Sequence, residues 1–192
     1  MIPDLNKLFY TLQSNTNEKI FRLMENNFGR VYLYGTCITD LYFGIKPRDF
    51  DCVVDIENSD DILKFLEYIK VPFERTTFGG YRFEYNGIKI DVWNLKDSYG
   101  VPDVDYKITD LLETCTLNVQ SVLYDISQKQ LLSDGKWMCA LQCRQLDYVN
   151  LKTLYPEKLE KQTIKLKERY SFTVSYSLQE AIDKIKQRFA KQ

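Results

Sequence analysis

Between Val31 and Ile56 the chain alternates a strand, a helix and a second strand, and the second strand opens on two aspartates. Val31 to Tyr34 is short, β-branched and aromatic, the composition that suits a pleated surface. Gly35-Thr36 then turns the chain into a helix reaching Gly44, with Ile38, Leu41 and Tyr42 on its buried side. Pro47 and Arg48 lead into a strand over Phe50 to Ile56. Such alternation restricts the chain to an α/β or α+β core.

The flanking segments extend the pattern. Asp4 to Gln13 and Glu18 to Phe28 read as amphipathic helices, the second ended by Asn27 and Gly29. Ile62 to Ile69 is a further helix. Thr76 to Tyr85 and Ile88 to Trp93 form a hairpin around Asn86-Gly87, a strong turn signal. Ser98 to Asp105 is a loop, Leu111 to Asp134 is mixed, and helices dominate from Lys136 onward, the last over Leu178 to Lys191. No internal repeat or low-complexity tract interrupts the 192 residues.

Asp49 and Asp51 stand two apart, so strand geometry puts both on one face and Phe50 on the other. In the later strand Ile88, Ile90 and Val92 share the apolar face, which leaves Asp91 on the opposite one with Lys89 and Trp93. Should these strands be neighbours, three carboxylates converge. Like charges at that range repel unless protons or a cation neutralise them. Magnesium, with manganese as the alternative, suits all-oxygen ligands, and two such ions about 3.5–4 Å apart support displacement at phosphorus. An aspartate pair at a strand start also occurs as a turn or a solvated edge. The Gly35-Thr36 turn adds weight: the Thr36 hydroxyl can cap the helix it opens, and a helix N-terminus receives phosphate. An ordinary capped turn is the alternative there.

Composition narrows the chemistry. The sequence contains no histidine, which excludes Ser-His-Asp and Cys-His catalysis and histidine-ligated zinc or iron. Five cysteines, an odd number without a framework spacing, suggest reduced thiols in a cytoplasmic setting. Cys139 and Cys143 lie four apart on an expected helix, where buried packing is favoured over metal binding. No apolar run approaches a membrane span, and the N-terminal residues carry no signal-peptide pattern. A net charge of −1 does not make the whole surface attractive to nucleic acid. The lysines of residues 158–169 and 184–191 are interleaved with acidic residues, so solvated helix faces are favoured over an RNA-binding scaffold.

The stretch LYGTCITDLYFGIKPRDFD, Leu33 to Asp51, resembles the head domain of class II tRNA nucleotidyltransferases and bacterial poly(A) polymerases. That family reads G-G-x-x-R-D-x-x-x-G-x-x-P-x-D-x-D, and Gly35, Asp40, Gly44, Pro47, Asp49 and Asp51 match it without a gap. IDVWNLK, Ile90 to Lys96, resembles the strand carrying the third carboxylate and a nearby basic residue. TLNVQSVLYDISQKQLLSDG, Thr116 to Gly135, resembles the segment with the family asparagine, here Asn118, and KLKERYSFTVSYSLQEAI, Lys165 to Ile182, resembles the neck helices.

The resemblance implies an α+β, polymerase β-like head, a mixed sheet flanked by helices, with a C-terminal helical neck-like segment. It covers most of the chain after Gly29 and implies a head over 29–135 and a neck-like region over 136–192, with the N-terminal helices of residues 1–28 packing on the head. Asp49, Asp51 and Asp91 would hold magnesium and carry catalysis. Gly35, Thr36, Asp40, Arg48, Lys96 and Asn118 would face a nucleoside triphosphate. Lys46, Arg48 and Lys96 would supply phosphate-neutralising charge or serve as surface charges. The acceptor hydroxyl would belong to RNA, a small molecule or a protein, with a partner protein supplying any missing grip.

Departures from the pattern are specific. Thr36 replaces the second glycine and Thr39 the arginine; Leu112-Glu113-Thr114 stands for R-R-D. No counterpart of the base-reading E-D-x-x-R motif appears near Tyr155 to Lys161, and the sequence stops where an RNA-binding body would begin. The expectation is therefore a nucleotidyltransferase that does not complete CCA ends on tRNA by itself. The alternative is a nucleotide-binding or RNA-interaction module whose catalysis has decayed.

Overall fold

A computed structural model describes residues 18–77, 79–101, 105–152 and 158–189. The helix expected over Asp4 to Gln13 lies outside the described residues. The elements are α1 (Glu18–Phe28), β1 (Val31–Tyr34), α2 (Thr36–Tyr42), β2 (Phe50–Val54), α3 (Asp60–Ile69), β3 (Phe73–Arg75), β4 (Tyr81–Tyr85), β5 (Ile88–Asn94), α4 (Leu111–Thr114), β6 (Leu123–Asp125), β7 (Gln130–Leu132), α5 (Lys136–Cys143), β8 (Gln145–Leu146), α6 (Leu159–Tyr170), β9 (Thr173–Val174) and α7 (Tyr176–Phe189). Short 3₁₀ turns follow β5 and flank α4. The class is α+β, as expected.

Seven strands form one mixed sheet in the order β3-β4-β5-β2-β1-β6-β7. Every pairing in it is antiparallel except β2 with β5, which is parallel. Alternation sorts the side chains. Val31, Leu33, Phe50, Cys52, Val54, Ile90 and Val92 face the main core, shared with α1, α3 and the C-terminal helices. Tyr32, Val53, Leu111, Leu112 and Leu123 form a smaller cluster on the other face, with Tyr34 and Trp93 packed against it. Asp51 and Asp91 belong to this second, thinly covered face, two residues from Val53 and Trp93. Trp137, Leu159, Leu166, Tyr170 and Ile182 join the main core, so the helical C-terminal region is packed into the same hydrophobic body as the sheet.

Several local expectations change. The strand expected over Thr76 to Tyr85 begins only at Tyr81, and an additional strand, β3, precedes it, because the chain reverses at Thr76–Gly80: the Thr76 N–H donates to the Gly80 carbonyl at 2.8 Å. Gly79 holds φ 87°, and a Cβ on Gly80 would lie 2.7 Å from the Val92 carbonyl, so the turn requires glycine at both positions. The Asn86-Gly87 turn forms as read, with φ of 50° and 78°. Thr36 does not cap α2; Gly35 is its N-cap and no side chain bonds there. Cys139 and Cys143 are exposed, not buried, with their Sγ atoms 3.8 Å apart. Trp137, Ala140 and Leu141 take the buried face of α5, which turns the two thiols outward. No helix among the described residues is long and apolar enough to cross a membrane.

Candidate active site

The parallel pairing of β2 and β5 sets Asp51 directly beside Asp91 as register partners. Adjacent strands lie about 4.7–4.9 Å apart, so the two carboxylates rise side by side from one face of the sheet. Asp49 immediately precedes β2. Burial, then the neighbouring Asp49 and Asp91 carboxylates, push the Asp51 carboxyl up to about 7 from an ordinary 3.8, with Arg48 and Arg82 pulling partly the other way.

Two arginines hold the outer carboxylates. Arg82 on β4 makes a fork to Asp91, Nε to Oδ1 at 2.6 Å and Nη2 to Oδ2 at 2.5 Å. Arg48 donates to Oδ2 of Asp49 through Nε at 2.9 Å and Nη2 at 2.6 Å. Asp51 and Asp91 open onto a cleft of about 560 Å³, while Asp49 lines a separate groove with Arg48 and Lys89; Arg82 borders both. Among the described residues no three acidic or thiol side chains stand together as a ready metal cage. The donor chemistry nevertheless fits a divalent cation: Asp51 carries excess negative potential from two carboxylate neighbours, and all the donors are oxygen. The arginines supply positive charge where such a cation would supply it.

The remaining expected residues are distributed differently. Gly35, with φ 76°, donates its N–H to the Val122 carbonyl at 3.0 Å and so ties α2 to the strand entering β6. Thr36 begins α2, and its carbonyl lies 3.5 Å from the Tyr170 hydroxyl. Asp40 is buried with its carboxylate engaged by Arg169, Nε to Oδ1 at 2.6 Å and Nη2 to Oδ2 at 2.7 Å, and by the Tyr170 hydroxyl at 2.8 Å. It clamps α6 onto α2. Asn118 is likewise occupied: its Nδ2 donates to the Gln145 carbonyl at 3.1 Å and its Oδ1 accepts from the Asp147 N–H at 3.1 Å. Lys96 donates to the Glu57 carbonyl at 2.5 Å.

The family-motif departures have structural content. Thr39, where the family pattern has arginine, is fully buried; its hydroxyl donates to the Val119 carbonyl and accepts from Trp137 Nε1, each at 2.7 Å. Leu112 is buried in the smaller core cluster, and Glu113 is exposed. None of the three brings positive charge to the carboxylates. Arg82 and Arg75, both beside the cleft, lie outside the motifs legible in the sequence. Counting back from the two-residue Asn86-Gly87 turn nevertheless makes Arg82 the cross-strand partner of Asp91, a signal the sequence does carry.

By sequence, no family model and no curated protein matches the chain. Several solved structures share its fold. A CCA-adding enzyme in an apo form superposes with a TM-score of 0.71 at 18% identity, over 96% of this chain and 46% of that one. A CCA-adding enzyme with CTP gives 0.69 at 19%, over 96% and 45%. The Thermotoga maritima CCA-adding enzyme complexed with tRNA gives 0.70 at 17%, over 95% and 45%. The chain thus spans about half the length of the solved structures it resembles. What it shares with them at these identities is architecture: the α+β nucleotidyltransferase head fold of CCA-adding enzymes.

Proposed function

We propose that the chain is a nucleotidyltransferase that moves a nucleoside monophosphate from a nucleoside triphosphate to an acceptor hydroxyl, with Asp49, Asp51 and Asp91 holding magnesium. The observation that carries this is the side-by-side placement of Asp51 and Asp91 on the parallel β2–β5 pair, with Asp51 raised to about 7 by burial and its carboxylate neighbours. A bound magnesium ion would neutralise those carboxylates and polarise phosphate oxygens. Asp51, set between two like charges, is the residue whose ionisation depends most on that neutralisation. Arg82 and Arg48 hold the Asp91 and Asp49 side chains in place and would be available to triphosphate oxygens on release. Thr36 opens α2 next to β1, and Gly35, its own N–H held by the Val122 carbonyl, carries no side chain that would block the outer phosphates there. Solved neighbours that carry CTP, or an ATP analogue with a primer tRNA, support a triphosphate donor.

A module that binds nucleotide without turnover is the alternative. The burial of Thr39 and Leu112 and the exposure of Glu113, at positions where the family pattern is cationic, favour it. RNA binding through the C-terminal lysines is less supported, because Lys184 and Lys186 are paired with Glu180 and Glu160. We further propose that tRNA lacking CCA is not completed by these residues alone, since no base-reading motif is recognisable near Tyr155 to Lys161 and Thr39, Leu112 and Glu113 bring no positive charge to phosphate.

The test uses each nucleoside triphosphate labelled at the α-phosphate, with magnesium and separate cellular RNA, protein and small-molecule fractions. Label entering one fraction from the α- but not the γ-position supports transfer. Triphosphate binding with no labelled product from any fraction supports the alternative.

A further inference from the structure

The five cysteines divide into two kinds. Cys37, Cys52 and Cys115 are buried, the ordinary place of a free cysteine that packs as a small hydrophobe. The Cys37 and Cys115 thiols also donate to the Tyr34 and Leu112 carbonyls, at 3.3 and 3.1 Å. Cys139 and Cys143 are exposed on the outer side of α5, and packing does not account for them: Trp137, Ala140 and Leu141 supply that helix's buried face. Their Sγ atoms lie 3.8 Å apart, and neither residue lines the carboxylate cleft. The turn that carries them is held in place. Arg144, with φ 50°, caps α5 through its N–H to the Ala140 carbonyl, and its own carbonyl accepts from the Thr173 N–H at 2.9 Å. On the buried side, Trp137 Nε1 donates to the Thr39 hydroxyl and ties α5 to α2.

We propose that Cys139 and Cys143 form a two-thiolate chelate for a thiophilic divalent cation of the zinc and cadmium class. Spacing argues for the chelate. Two zinc–sulfur bonds of about 2.3 Å at a tetrahedral angle put their sulfurs about 3.8 Å apart. The two Sγ atoms already stand at that separation, so a cation enters without a change in the backbone. A disulfide fits the same pair less well. Residues four apart on a helix face carry Cβ atoms about 5–6 Å apart, against about 3.5–4.5 Å across a disulfide. Closing one would distort the turn that Arg144 caps. Ligand chemistry keeps this site distinct from the aspartates, because thiolates select soft cations and carboxylates select hard ones such as magnesium. Each thiol gives its proton to solvent as its sulfur takes the cation. The other two tetrahedral positions face solvent and take water.

Cadmium titration of the reduced full chain tests this, read by the ultraviolet sulfur-to-cadmium charge-transfer band with excess magnesium present. The band should saturate at one cadmium per chain, and added zinc should remove it. Cys139→Ser and Cys143→Ser should each weaken cadmium binding at least about tenfold. The double variant should lose the band while its unfolding transition stays where it was, since both positions are exposed. Asp51→Asn should leave the band unchanged. The chelate is overturned if no band forms at saturating cadmium, if the band survives the double variant, or if magnesium or Asp51→Asn removes it. It is equally overturned if zinc does not displace cadmium, or if the band saturates at one cadmium per two chains, the mark of a site shared between copies.

Discussion

Asp51 couples the stability of the fold to pH in a direction opposite to that of most carboxylates. Its folded-state carboxyl titrates at about 7 against 3.8 in an unpaired state. The native structure therefore favours the protonated form. The stabilisation is complete below the unfolded value and is lost as pH rises through about 7. At 1.36 kcal/mol for each tenfold change in proton affinity, the rise from 3.8 to about 7 is worth about 4 kcal/mol over the whole window. Roughly 2.5 kcal/mol of that falls between pH 5 and pH 8. Asp51→Asn replaces the charge with a neutral near-isostere. In urea titrations with a chelator present, the variant should gain on the parent as pH rises, exceeding it by roughly 2.5 kcal/mol more at pH 8 than at pH 5. Comparing the two proteins at each pH cancels the titrating groups that do not sense Asp51. Magnesium at pH 8 should restore stability to the parent and not to the variant. A parent-minus-variant difference that is flat between pH 5 and 8, or that moves the other way, would refute the electrostatic account of Asp51.

Three further outcomes follow from the same contacts. Arg82→Gln removes the fork that covers Asp91; because Arg82 is half exposed, folding stability should change by less than about 1 kcal/mol, while manganese affinity read by paramagnetic resonance rises severalfold, and unchanged or weaker affinity counts against competition between arginine and cation. Arg169→Met leaves the buried Asp40 carboxylate with only Tyr170, so urea unfolding should show a loss of about 3 kcal/mol; adding Asp40→Asn should recover part of it, and full additivity would contradict a direct pair. On tRNA lacking its terminal CCA, with CTP, ATP and magnesium, the isolated chain should give no ordered addition of C, C and A; efficient addition would show that Thr39, Leu112 and Glu113 do not limit it.

What the sequence makes legible follows the range of the interaction. The facing of Asp51 and Asp91 is a period-two property of single strands, and the hairpin register follows from the two-residue Asn86-Gly87 turn. The place of Arg82 follows from the same count. The exposure of Cys139 and Cys143 also follows from helical phase, once Trp137, Ala140 and Leu141 are taken as the buried stripe. Other contacts carry no local signature. Asp40 meets Arg169 across 129 positions, and Thr39 meets Trp137 across 98. A short-period pattern cannot specify such pairs, so a motif aspartate expected near nucleotide proves to be a clamp between helices. Asn118 has the same character: its amide bridges the backbone at Gln145 and Asp147, which fixes the entry to the C-terminal helices.

Calorimetric titration of the full chain with each nucleoside triphosphate, with magnesium and then with a chelator, tests most directly whether these aspartates form a metal–nucleotide site. The account predicts binding that requires magnesium and is abolished by Asp51→Ala and by Asp91→Ala, in proteins whose unfolding transitions remain cooperative. Equal affinity with and without magnesium, or affinity that survives loss of both carboxylates, would contradict it.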